Sequence, residues 1–212
     1  IICQSHEDVE IERKHLNTLL NAQVDGIFMS VSRTTIDTQH IQNILDTSNT
    51  PIIFFDRKKD IPGISTVTVN DYRGGYMATE HLIKQGCKNI FHFAVDLNLE
   101  IYQNRLNGYK QALIDYKFNV KEENIIYTGS SIDAGIEAIK KLWKGNNIPD
   151  AIFSASDSTA LGVCQELKKQ KIKIPEEEVA VIGFSNEPFT QFMELPMSSV
   201  DRALLSIPTR PA

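Results

Sequence analysis

The sequence is poor in cysteine, in histidine clusters and in long apolar runs, and it has no excess of positive charge. Its three cysteines, Cys3, Cys87 and Cys164, are odd in number and far apart. With no CxxC pair and no Cys/His cluster they exclude a disulfide framework and speak against zinc. They fit a reducing, cytoplasmic compartment. No apolar run approaches the roughly 20 residues that cross a membrane. Lys and Arg number 22 against 27 Asp and Glu, a net charge of −5, so DNA phosphates find no electrostatic footprint here. GxGxxG and GxxxxGK[ST] phosphate cradles are absent, and so is the GxSxG nucleophile elbow. His6, His15, His40, His81 and His92 lie far apart, without metal-ligand spacing. The expectation is a binding module without cofactor or metal, and not an enzyme.

What is present is an ordinary folded-domain composition, 42% hydrophobic and 23% charged, over 212 residues, which suffices for two lobes. The apolar period alternates along the chain. Val9, Leu16, Leu19 and Leu20 have helical spacing, and the short run Gly26-Ile27-Phe28-Met29 reads as a strand. Ile41, Ile44 and Leu45 mark a helix; Ile52 to Phe55 and Thr66 to Val69 mark strands. A helix is expected from Asp71, read as its cap, to a stop at Gly86. Strands at 90–94, 125–127, 151–155 and 179–184 then alternate with helices around Leu106–Tyr116, Ile132–Trp143 and Ala160–Leu167. Short continuous apolar runs between amphipathic helices predict an α/β fold of parallel sheet with helices on both faces.

In such sheets ligands lie beyond the carboxyl ends of the strands. Those ends carry Ser30 and Ser32, Asp56-Arg57, Asn70-Asp71, Asp96, Ser154, Ser156 and Asp157, and Ser185-Asn186. Hydroxyls, carboxylates, amides and a guanidinium together make a surface that both donates and accepts, which suits a neutral polyhydroxy ligand. The plainer alternative is that Ser, Asp and Asn simply cap the following helices. Cys164, among Leu161, Val163 and Leu167, reads as core, as does Trp143.

Asp71 to Gly86 (DYRGGYMATEHLIKQG) and Ile174 to Asn186 (IPEEEVAVIGFSN) resemble segments of LacI/GalR-type repressors. Asp56-Arg57, Arg105 to Tyr109 (RLNGY) and Ser156 to Gly162 (SDSTALG) fall in the same order and spacing. The resemblance covers roughly residues 1 to 201, and five motifs in register make it specific. It implies a periplasmic-binding-protein-like fold of two lobes, each a parallel sheet flanked by helices. The first lobe would be residues 1–70, with the chain returning at 200–212; the second would be 71–199. The family's ligand positions fall on Asp56, Arg57, Arg105, Ser156, Asp157, Ser185 and Asn186. Arg105 would stand one turn into a helix and hold two adjacent hydroxyls, and its removal is expected to weaken binding with little loss of fold.

The function so implied is the sensing domain of a bacterial transcription regulator. It would bind a small polar effector, a sugar, and modulate operator-DNA binding by an N-terminal helix-turn-helix outside this sequence. A homodimer, with no membrane partner, is implied as well. The chain opens on Ile1-Ile2-Cys3, and the expectation is that it starts inside a strand. The alternative is an extracytoplasmic sugar-binding protein of a transporter, against which the IPEEEV and TEHL segments weigh. Three departures stand out. Ser185 occupies the place of the family's Asp. The stretch Gly129-Ser130-Ser131-Ile132 lacks the aromatic that many of the family's members place there to stack on the ligand. Residues 202–212 do not resemble the family's continuation.

Overall fold

The computed structural model describes residues 1–144, 149–172, 179–193 and 196–209. The element order is α1 (Val9–Asn21), β1 (Ile27–Met29), α2 (Gln39–Thr47), β2 (Ile52–Phe55), β3 (Ser65–Val69), α3 (Asp71–Lys84), β4 (Ile90–Ala94), α4 (Glu100–Asp115), β5 (Ile125–Tyr127), α5 (Ile132–Lys144), β6 (Ala151–Ser154), α6 (Asp157–Lys169), β7 (Ala180–Phe184), β8 (Ser198–Val200) and β9 (Ser206–Thr209). The chain divides into two compact units. Unit 1 is Ile1–Val69 with the segment from Ser206, and unit 2 is Asn70–Leu205. The first part of the IPEEEV segment, residues 174–178, lies outside the described residues.

In unit 1, β1, β2 and β3 pair in parallel, with Ile27 opposite Ile52 and Phe55 opposite Val67. Ile27, Met29, Ile52 and Phe54 point to one face and bury against Leu16 of α1 and Ile41 and Ile44 of α2. Phe28, Phe55 and Val67 point the other way and are exposed. The unassigned tail contributes β9, antiparallel to β3, with Thr66 opposite Thr209 and Val69 opposite Ser206.

Unit 2 holds a five-stranded parallel sheet in the order β5-β4-β6-β7-β8. Its central strands β4 and β6 are buried at every residue, as continuous apolar runs require. Helix pairs pack at backbone contact. A Cβ on Gly75 of α3 would stand 2.2 Å from the Arg105 carbonyl oxygen, and one on Gly108 of α4 would stand 2.1 Å from that of Tyr72. Only glycine lets α3 and α4 approach so closely. This contact fixes where Arg105 sits.

Helix α3 corrects one sequence expectation. Its cap is Asn70, whose Oδ1 accepts the Arg73 N–H at 2.9 Å. Asp71 is the first helical residue and is left for another partner. Strand β8 was not anticipated, because the short Ser-Ser-Val segment has no apolar period.

His92, in the middle of β4, is fully buried against Tyr109 and Phe153. Its Nδ1 lies 3.0 Å from the Phe153 carbonyl oxygen, which assigns the ring proton to that nitrogen. Among the described residues Nε2 has no partner. Burial pushes its pKa from 6.5 down to about 3. The unfolded chain therefore takes up a proton below pH 6.5 that the folded chain refuses until about pH 3. Stability should fall with pH across that window, by about 2 kcal/mol between pH 7.5 and 5 from this group. Urea unfolding of His92→Phe at those two pH values is expected to show a drop smaller by that amount. An unchanged drop would rule out His92 as its source.

Candidate functional site

Each unit presents polar groups at the carboxyl ends of its strands. In unit 1, Asp56 and Arg57 follow β2. Asp56 holds a left-handed backbone, φ 61°, and its N–H donates to the Val67 carbonyl at 3.0 Å. Arg57 Nη1 donates to Glu7 Oε2 at 2.6 Å, and its Nε donates to Ser30 Oγ at 3.3 Å. The hydrogen bond from Arg57 Nη1 holds the Glu7 carboxyl below its usual range. Behind these loops Glu12 is buried. Its Oε2 accepts the Ser32 N–H at 2.6 Å, and its Oε1 accepts Thr35 Oγ1–H at 3.0 Å and meets His40 Nε2 at 2.8 Å. Glu12 thereby fixes the chain that follows β1. Neither Glu7 nor Glu12 was found from sequence, where each is one more acid near a helix start.

Unit 2 brings five of the seven predicted residues together. Arg105 is only 3% exposed. Its Nε donates to Asp71 Oδ1 at 2.8 Å, Nη2 stands 2.7 Å from the same oxygen, and Nη1 donates to the Ala155 carbonyl at 2.6 Å. The guanidinium lies over the Phe184 ring, 3.7 Å from its centroid. Its three nitrogens are engaged once each, so one N–H remains on each terminal nitrogen. Burial pushes the Asp71 carboxyl up, and the Arg105 charge opposes that shift.

Ala155 precedes Ser156, and Phe184 precedes Ser185, so Arg105 touches both loops. Ser156 and Ser185 are half-buried, and neither hydroxyl bonds to any described residue. Ser185 and Asn186 hold left-handed backbones, φ 126° and 52°. Asp157, the first residue of α6, is 1% exposed. Its Oδ2 accepts the Glu187 N–H at 2.9 Å and its Oδ1 accepts Ser199 Oγ–H at 2.7 Å. Burial pushes this carboxyl up as well. Ser199 Oγ in turn accepts the Asn186 N–H at 2.9 Å, and Asn186 Nδ2 donates to Asp201 Oδ2 at 3.3 Å. Asp157 is thus turned inward and holds the loop that carries Ser185 and Asn186. Ser199 and Asp201 had no sequence signal, because their strand is short and polar.

Three of the seven residues, Asp56, Ser185 and Asn186, lie in a backbone region that non-glycine residues seldom enter. Such strain collects where geometry serves a ligand. A separate cavity of about 590 Å³ between β5 and α5, lined by Ile126, Tyr127 and Ala138 among others, includes none of the seven. Among the described residues no group of three His, Cys, Asp or Glu could hold a metal, and no helix is long and apolar enough to cross a membrane.

A family model described as periplasmic binding proteins and sugar binding domain of LacI family matches residues 1–204. The HTH-type transcriptional repressor PurR of Actinobacillus pleuropneumoniae serotype 3 is 27% identical over 202 residues, 95% of this chain and 59% of that protein. A solved transcriptional regulator CelR–cellobiose complex is 29% identical with a TM-score of 0.76, covering 89% of this chain and 57% of that one. The transcription regulator CcpA of Lactococcus lactis is 25% identical with a TM-score of 0.83, covering 96% and 73%. The chain therefore spans about three-fifths of the length of the curated relatives it matches.

Proposed function

The chain belongs to the family of periplasmic binding proteins and LacI-type sugar-binding domains, and from that premise we propose that it senses a small polyhydroxy effector for a transcription repressor. The observation that carries this reading is the convergence in unit 2 of the Arg105 fork with the unengaged hydroxyls of Ser156 and Ser185. Two remaining N–H groups and two hydroxyls offer both donors and acceptors, which a sugar's hydroxyls need. Asn186 completes the proposed contact set of unit 2; within unit 1 the proposed ligand contacts are Asp56 and Arg57. Asp157 belongs to it as the residue that shapes the loop. A neutral sugar fits better than a nucleotide, because Arg105 is already neutralised by Asp71. The CelR complex with cellobiose supports the ligand class.

In this reading the protein binds its ligand and does not turn it over, a role that the repressor names of its relatives support. It works in the cytoplasm as a homodimer. Operator DNA falls to an HTH segment of the kind that the repressor relatives' names carry, because a net charge of −5 gives this chain no overall attraction to the DNA backbone. The effector acts by binding two conformations unequally. A thermal-shift screen against monosaccharides, disaccharides, sugar phosphates and nucleobases tests the ligand class. A ligand at about 100 times its Kd adds roughly 2.7 kcal/mol of stability, a readable rise in Tm. A response confined to sugars is expected; one confined to nucleobases would overturn the sugar assignment.

A further inference from the structure

Three loops of unit 1 meet at the carboxylate of Glu7: the one before α1, the one after β1 and the one after β2. Its Oε2 accepts from Arg57 Nη1 at 2.6 Å and from the Arg33 N–H at 2.8 Å. Its backbone carbonyl oxygen accepts Thr34 Oγ1–H at 2.9 Å, and Thr34 Oγ1 in turn accepts the Val9 N–H at 2.8 Å. His6 and Glu7 both hold left-handed backbones, φ 51° and 64°. Two such residues in succession are uncommon without glycine, and this turn sets the carboxylate against Arg57.

The network leaves over an acceptor and a donor side by side. Among the described residues Glu7 Oε1 accepts no hydrogen bond, and none engages Arg57 Nη2. The Glu7 side chain is 45% exposed and that of Arg57 19%, so both are open to a ligand. An ion pair in contact with solvent adds little stability. Its effect here is on charge: the guanidinium is already met by a carboxylate before any ligand arrives.

We propose that Glu7 is a further effector contact and the charge filter of unit 1, restricting the effector to an uncharged polyhydroxy compound. One ligand hydroxyl donates to Glu7 Oε1 and another accepts from Arg57 Nη2. A phosphate or carboxylate on the ligand would be repelled by the Glu7 carboxylate, and the single guanidinium cannot neutralise both anions. The inference rests on the effector reading, in which Arg57 is a contact, and adds to it a residue and a rule of selectivity.

The probes are the neutral sugar that raises Tm most and the phosphate ester of that same sugar, as glucose beside glucose 6-phosphate. Calorimetric titration of the full chain is expected to show the neutral sugar bound at least about tenfold tighter than its ester. Glu7→Gln keeps the shape of the side chain and an acceptor for the Arg33 N–H. It should weaken the neutral sugar about tenfold and strengthen the ester about tenfold, with the urea midpoint nearly unchanged. Adding Arg57→Gln should abolish the gain for the ester. A residue that only held the loops in place would weaken both probes together in Glu7→Gln, and that result, or an unaltered preference, would overturn the proposal while leaving the effector reading in place. A parent protein that prefers the ester would overturn it too. If no neutral sugar raised Tm, the effector reading itself would fall, and this inference with it.

Discussion

Replacing Arg105 by alanine is expected to destabilise the protein by about 3–5 kcal/mol, enough to bring a domain of ordinary stability close to unfolding. The cause is Asp71. That carboxylate is 3% exposed and Arg105 is the side chain that pairs with it, so the variant buries an uncompensated charge. Phe184 also loses the cation on its face. Urea unfolding of the variant should show the loss as a lowered midpoint with an unchanged slope. The double substitution Asp71→Leu/Arg105→Met should recover most of it, because removing both charges removes the unpaired one. A single variant within 1 kcal/mol of the parent would contradict this account. The sequence alone suggested that Arg105 could be removed with little loss of fold. Its burial reverses that expectation, and loss of ligand binding in Arg105→Ala cannot be read as loss of a contact alone.

The second large effect is expected at Asp157. Its two oxygens take one hydrogen bond each from Glu187 N–H and Ser199 Oγ–H, and the side chain is 1% exposed. Asp157→Ala should cost about 2–4 kcal/mol, since hydrogen bonds to a buried charge are worth about 1.5–3 kcal/mol and both donors lose their acceptor. The effect should be local as well as global. Amide hydrogen exchange at Glu187 and Asn186 should accelerate in the variant, while the amides of β4 keep their ranking. Full protection at Glu187 would show that the loop is held by something else. Ligand affinity should fall too, because Ser185 and Asn186 ride on this loop.

The order of strands and helices was legible because the central strands are buried on both faces and so read as unbroken apolar runs, as in Ile90–Ala94 and Ala151–Ser154. The family was legible for a different reason. Its motifs sit where backbone geometry is demanding, such as Gly75 of α3 and Gly108 of α4, where an added Cβ would stand 2.1–2.2 Å from a carbonyl oxygen of the facing helix. Short elements of polar residues were not legible. Strand β8 is Ser-Ser-Val, and β9 is an edge strand that contains Pro208, a residue rare within strands. At the candidate site, sequence pointed to the residue types at the strand ends but not to their roles. A linear reading has no means to tell that Asn70 and not Asp71 caps α3, that Asp71 pairs with a residue 34 positions on, or that Asp157 faces inward. Those facts depend on which side chains tertiary packing brings within 3 Å of each other.

Because Arg105 and Asp157 also hold the fold together, the most direct test of the effector reading uses the two side chains that do not. Ser156 and Ser185 make no side-chain hydrogen bond within the described residues. The measurement is calorimetric titration of the parent and of Ser156→Ala/Ser185→Ala with the sugar that raises Tm most. The account predicts an unchanged unfolding midpoint and an affinity reduced about tenfold, the loss of two hydrogen bonds at about 0.5–1.5 kcal/mol each. Unaltered affinity in a stable double variant, or no sugar that raises Tm, would contradict it.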